Sequence, residues 1–213
     1  MGKSGLQGGA GSLLTAPVVW FLISLLAIAI VASLGPAEQS LGVNVRVVYL
    51  HGAWVWAALA GFVAAGLCGA VGLLTRQPRW TGWSAALGRS GLLFWITYLP
   101  ISLWAMQANW NGLFLAEPRW RLAAVFAVSG VLLQVGLALL RRPMLTALGN
   151  LAFIGVLLGM LSATQDVLHP ASPIFSSGSL RIQVYFMLLL LLTLLAVWQA
   201  ARGFMALESR KAP

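Results

Sequence analysis

Residues 47–74 read VVYLHGAWVWAALAGFVAAGLCGAVGLL, a run without a single charged side chain. About 20 apolar residues, rising 1.5 Å each in a helix, cross the ~30 Å hydrocarbon core of a bilayer. This run is longer than a span requires, so its helix tilts or projects beyond the lipid. Five more apolar runs surround it, at 17–34, 90–108, 122–140, 144–163 and 180–203. The fold class that follows is all-α, a polytopic membrane bundle of six transmembrane helices.

Composition points the same way. Sixty per cent of the 213 residues are hydrophobic and 8% are charged, where a soluble domain carries roughly 25% charged residues. So few charges cannot cover a soluble surface, and the lipid bilayer is the partner that solvates this chain. The net charge of +9 does not mark a nucleic-acid partner, because the basic residues stand in ones and twos with no stripe to follow a phosphate backbone.

Those basic residues sort by side of the membrane instead. Lys3, Arg76, Arg79, Arg89, Arg141, Arg142, Arg202, Arg210 and Lys211 fall on one side. Arg46, Arg119, Arg121 and Arg181 fall on the other, with Glu38, Glu117 and Asp166. The richer side reads as cytoplasmic, which puts both termini there. Residues 1–16 then form a flexible cytoplasmic tail, 17–203 the six-helix domain, and 204–213 a second cytoplasmic tail. Lys3 and the small residues Val31-Ala32-Ser33 also resemble a signal peptide, but the first apolar core exceeds the usual 7–15 residues, which favours a retained anchor. Arg141-Arg142-Pro143 is a tight turn that folds the fourth and fifth helices into a hairpin. No internal repeat stands out, and no soluble domain is left over. Cys68, the one cysteine, excludes an internal disulfide and reads as a small packing residue.

Three outer segments carry the residues of chemical interest: 46–56, 109–120 and 166–174. The two histidines of the chain, His51 and His169, fall in the first and third. A single interfacial histidine is usually structural. Two, both on one side of the bilayer and on separate segments, meet the need of a b-type haem for one imidazole on each face. Without nearby thiolates, and with isolated carboxylates only, the same pair would leave zinc under-coordinated. Trp54, Trp56, Trp110 and Trp120 share that side with Arg46, Arg119 and Arg181. A flat macrocycle with two propionates wants aromatic faces and cations, though an interfacial aromatic belt has the same composition. Trp20, Trp80, Trp83 and Trp198 read as interfacial anchors.

The segment Arg46-Val47-Val48-Tyr49-Leu50-His51-Gly52-Ala53-Trp54-Val55-Trp56 resembles the R-I-x-Y-I-H-V-P-x-x-W signature of the cytochrome c assembly family, in its haem exporter protein C type. Arg46, Tyr49, His51 and Trp56 match, and Gly52-Ala53 replaces Val-Pro. Leu168-His169-Pro170-Ala171-Ser172 is similar to that family's second histidine segment. Its tryptophan-rich motif, W-G-x-x-W-x-W-D-(A/P)-R, is degenerate here: Trp110 keeps the first position, Phe114 and Ala116 replace tryptophans, and Glu117-Pro118-Arg119 closes it.

The resemblance implies a haem-handling protein of the bacterial inner membrane. Haem b would bind transiently at the outer face, with His51 and His169 as iron ligands and Arg46, Trp56, Trp110, Phe114, Glu117 and Arg119 around it. Its partners would be a periplasmic haem chaperone, other cytochrome c maturation subunits and, finally, apocytochromes c. No nucleophile or acid–base pair is evident, so the expectation is a carrier and not an enzyme. Two rivals stand beside it: a b-type electron-transfer subunit, and a scaffold of a membrane complex that holds no haem.

Overall fold

The computed structural model describes residues 16–164, 174–175 and 178–209. Six helices make up almost all of this: α1 (Pro17–Ser33), α2 (Val45–Thr75), α3 (Pro78–Trp110), α4 (Pro118–Leu140), α5 (Pro143–Ala163) and α6 (Leu180–Ser209). Helices α2 to α6 are each long and apolar enough to cross a bilayer, so the chain is an all-α, multi-pass membrane protein. Helix α1 has 17 residues, about 26 Å at 1.5 Å per residue, which is the lower limit for a span. The expected tails at 1–15 and 210–213 lie outside the described residues.

Local chemistry sets the helix ends. Pro17, Pro78, Pro118 and Pro143 each open a helix, where the missing N–H and the fixed φ cost nothing. Arg76 and Arg141 close α2 and α4 in the left-handed region, at φ 58° and 51°. Each donates its backbone N–H to the carbonyl four residues back, Gly72 and Leu137 respectively. One extended residue follows, Gln77 or Arg142, and then the proline of the next helix. Arg76-Gln77-Pro78 and Arg141-Arg142-Pro143 are therefore one turn built twice, at the same end of the bundle. Between α1 and α2 the Glu38 carboxylate accepts from the Ser40 hydroxyl and from the Ser40 and Leu41 N–H groups. The Ser40 hydroxyl first, then the Leu41 amide, hold it below the ordinary carboxylate pKa.

Helix α3 departs most from the sequence expectation. It begins at Pro78, not near residue 90, and its 33 residues make about 50 Å. Residues 78–89 carry Arg79, Arg89, Thr81 and Ser84, which dilute the hydropathy signal. Yet Thr81, Ser84, Ala85, Ala86 and Gly88 are buried, so this stretch is a packed helix and not a loop. Helix α6 likewise runs to Ser209, beyond the expected end at 203.

The Tyr185 hydroxyl donates to the Val31 carbonyl at 2.8 Å, so the end of α1 meets the start of α6. The two run antiparallel, and Pro17 and Ser209 point to the same end. That end also holds both arginine turns, and is called the arginine end below; His51 marks the other.

Helix α2 buries its small residues: Ala53, Ala57, Ala58, Gly61, Ala65 and Gly69. A Cβ on Gly61 would stand 3.0 Å from the Gly91 Cα, so α2 and α3 meet nearly backbone to backbone. Deeper polar groups are paired. Asn150 on α5 donates to the Ser84 carbonyl at 2.8 Å and to its Oγ at 3.1 Å, while accepting from Gln134 Nε2 at 2.8 Å. This ties α3, α4 and α5 together where water cannot. Toward the arginine end Trp83 stacks on Trp198 at 4.7 Å, the Ser90 hydroxyl donates to the Val197 carbonyl, and Arg89 pairs with Glu208. Cys68 packs at the edge of the small apolar cluster there, with Ala65, Ala86, Leu87 and Ala201.

Candidate functional site

Toward the histidine end the bundle holds a cavity of about 590 Å³, within the roughly 300–1,000 Å³ of small-molecule sites. Helical periodicity builds its walls. On α2, Val48, Gly52 and Trp56 repeat every four residues, as do His51, Val55 and Leu59, and all six line it. On α3, Trp95, Tyr98, Ser102, Ala105, Met106 and Asn109 form one stripe. Phe186 of α6 and Leu161 of α5 complete the apolar part, with Ile174 and Phe175. The His51 and Tyr98 rings lie 5.0 Å apart.

The polar part comes from the start of α4. Glu117 caps this helix: its Oε2 accepts the Trp120 backbone N–H. The side chain is buried, at 6% exposure, and its Oε1 has no hydrogen-bond partner. The same holds for Asn109 Oδ1 and Trp120 Nε1, and both residues also line the cavity. Arg119 stands beside them on the wall. Buried polar groups are nearly always paired, so three unpaired ones on a single wall need an explanation.

Of the residues singled out in the sequence, the cavity brings together His51, Trp56, Trp110, Glu117 and Arg119. Arg46 is not among its lining. Its Nε donates to the Gly35 carbonyl at 2.9 Å and fastens the end of α1 to α2. Phe114 is not in the cavity wall either. It meets Trp110 edge-on at 6.0 Å and borders a separate shallow depression with Pro118 and Arg121. His169 lies outside the described residues, as does Asp166. Ile174 and Phe175, shortly after His169 in the chain, do line the cavity. Sequence reasoning missed Tyr98, Asn109 and Phe186. Asn109 opens the outer segment 109–120, but Tyr98 and Phe186 lie inside apolar runs where nothing sets them apart.

The donor set bears on which group the cavity suits. Among the described residues no three of His, Cys, Asp and Glu come together, so no cage for a bare ion forms there. One imidazole on flat apolar walls suits a metal that brings its own equatorial ligands, as haem iron does. Arg119 and the Trp120 indole N–H are donors of the kind a propionate accepts from. The residues present fit haem.

Compared with family models, curated proteins and solved structures, the chain matches none of them.

Proposed function

We propose that this is a haem-handling protein of the bacterial inner membrane, acting in cytochrome c maturation. The observation that carries the reading is His51 on the wall of an aromatic cavity that also gathers Trp56, Trp110 and Arg119. In this reading His51 and His169 would hold the iron, and Arg119 with Trp120 would hold the propionate side. Bound haem would supply the vinyl-bearing macrocycle to which an apocytochrome's cysteine thiols are later joined. The protein's own part is to bind the macrocycle, orient it and let it go to a periplasmic chaperone. The rim suits release, since Trp56 is 50% and Trp110 43% exposed. Basic residues crowd the end opposite the cavity, which supports cytoplasmic termini and a cavity facing the periplasm.

The test is the absorption spectrum of the purified full chain reconstituted with haemin. The wild type is expected to give a six-coordinate low-spin spectrum. His51→Ala and His169→Ala should each lose that spectrum or lose haem. Two single variants with the wild-type spectrum would refute the reading. Topology is checked separately by a periplasm-active reporter, expected active after Asn111 and silent after Arg142.

A further inference from the structure

We propose that the wall formed by Asn109, Glu117, Arg119 and Trp120 binds the carboxyl group of an apolar ligand together with one proton, shared between that group and Glu117. This deepens the haem reading and takes from it only that the ligand bears a carboxyl group on an apolar body. Haem and a fatty acid share that chemistry.

Glu117 lines the cavity with a buried side chain. One of its oxygens is committed to the cap of α4, and the other is buried without a partner. An ionised carboxylate only accepts hydrogen bonds. A ligand carboxylate entering here would accept from the Trp120 indole and from Arg119, both on this wall, but it could give Glu117 nothing. Two carboxylates side by side repel unless a proton lies between them. With one proton taken from water, the two carboxyl groups carry a single negative charge, and the Arg119 guanidinium balances it. Without that proton the cavity would hold two negative charges against the single guanidinium of Arg119, since Arg121 borders the separate outer depression.

The other titratable groups facing this wall are few. Helix α4 contributes Arg119 and, on the outer side of Glu117, Arg121; α3 contributes Tyr98; α2 contributes His51. Leu161 of α5, Phe186 of α6, Leu41, Ile174 and Phe175 bring no charge.

The experiment uses the full chain in detergent and reads dissociation constants by tryptophan fluorescence across neutral pH. The probes are metal-free protoporphyrin IX, its dimethyl ester, and palmitate. Because none of them contains iron, imidazole ligation does not enter, and the result is independent of the haem spectrum. Uptake of one proton makes the Kd of the free acid rise tenfold per pH unit. The ester should bind more weakly and without pH dependence. Glu117→Gln keeps an oxygen for the Trp120 N–H and offers its amide N–H to the ligand, so binding should persist while the pH slope disappears.

Palmitate binding with the same slope, and no porphyrin binding, would support the shared proton and overturn the haem reading. Porphyrin binding without palmitate binding would support both. A flat pH profile for wild type and free acid overturns the proposal, as does an ester that binds as tightly as the acid. A slope that survives Glu117→Gln assigns the proton to another group, His51 first, and also overturns it. Should Glu117→Gln fail to fold, the acid-against-ester comparison on wild type still decides. No binding by any probe refutes the proposal.

Discussion

The two ends of the bundle differ in how completely they pair their buried polar groups. Toward the arginine end, Thr81, Ser84, Ser90 and Asn150 are buried, and each has its hydrogen bond. Toward the histidine end, Tyr49, Asn109, Glu117 and Trp120 each hold a buried polar atom with none. Each such atom costs on the order of 1–3 kcal/mol, so the difference is large on the scale of a protein's net stability. One end behaves as a finished scaffold. The other keeps three such groups, on Asn109, Glu117 and Trp120, on the cavity wall where a ligand would meet them.

The largest effect is expected where the scaffold is tightest. A Cβ on Gly69 would stand 2.7 Å from the Ala147 carbonyl oxygen, a backbone atom that cannot swing away. Gly69→Val should therefore cost about 3 kcal/mol or more, from overpacking alone. At Gly52, on the cavity wall, the nearest atom is 3.2 Å away and belongs to the edge of the Phe186 ring. Gly52→Ala should cost less than about 1 kcal/mol, because a ring beside a cavity can turn. Equilibrium unfolding in detergent measures both. Equal losses would mean that the cavity end is packed as rigidly as the arginine end, and would break the comparison.

A smaller contrast compares paired with unpaired polar groups. Asn150→Leu strands the Gln134 amide and the Ser84 groups, and should destabilise by about 2 kcal/mol. Trp120→Phe removes an indole N–H that has no partner. Its cost should stay within about 1 kcal/mol, mostly from lost area, while porphyrin affinity falls. If Trp120→Phe proved as damaging as Asn150→Leu with no change in porphyrin affinity, the indole would be structural.

The same contrast explains what could be read from the sequence. The spans at 47–74, 122–140 and 144–163 were legible because lipid demands unbroken apolar runs, and helices follow them within a few residues. Arg141-Arg142-Pro143 announced its turn. Arg76-Gln77-Pro78, the same turn, was hidden because the helix after it carries Thr81 and Ser84, which are buried only by packing against α2 and α5. His51, Glu117 and Arg119 were legible as rare polar residues beside apolar runs. Arg46 stood out for the same reason, but its guanidinium reaches the Gly35 carbonyl, a backbone group that no side-chain pattern reveals, and it does not line the cavity.

The smallest expected effect also locates the bilayer. Arg89 is the twelfth residue of α3, about 17 Å from its start at 1.5 Å per residue. The helix exceeds the ~30 Å hydrocarbon core by about 20 Å. If that surplus lies at the arginine end, Arg89 and its partner Glu208 sit at the headgroups. The side chains are 31% and 37% exposed, which agrees with an interfacial pair. An ion pair in that setting is worth about 0–1 kcal/mol and weakens with salt. A pair within the hydrocarbon would behave otherwise, since removing one partner there leaves an unpaired buried charge at about 3–5 kcal/mol. A double-mutant cycle with Arg89→Gln and Glu208→Gln, run at low and high salt in lipid nanodiscs, separates the cases. The expected result is a coupling below about 1 kcal/mol that shrinks with salt. A coupling several times larger and indifferent to salt would place Arg89 inside the lipid and shift the bundle toward the histidine end. The cavity rim would then stand farther out in water than the position of its exposed tryptophans suggests.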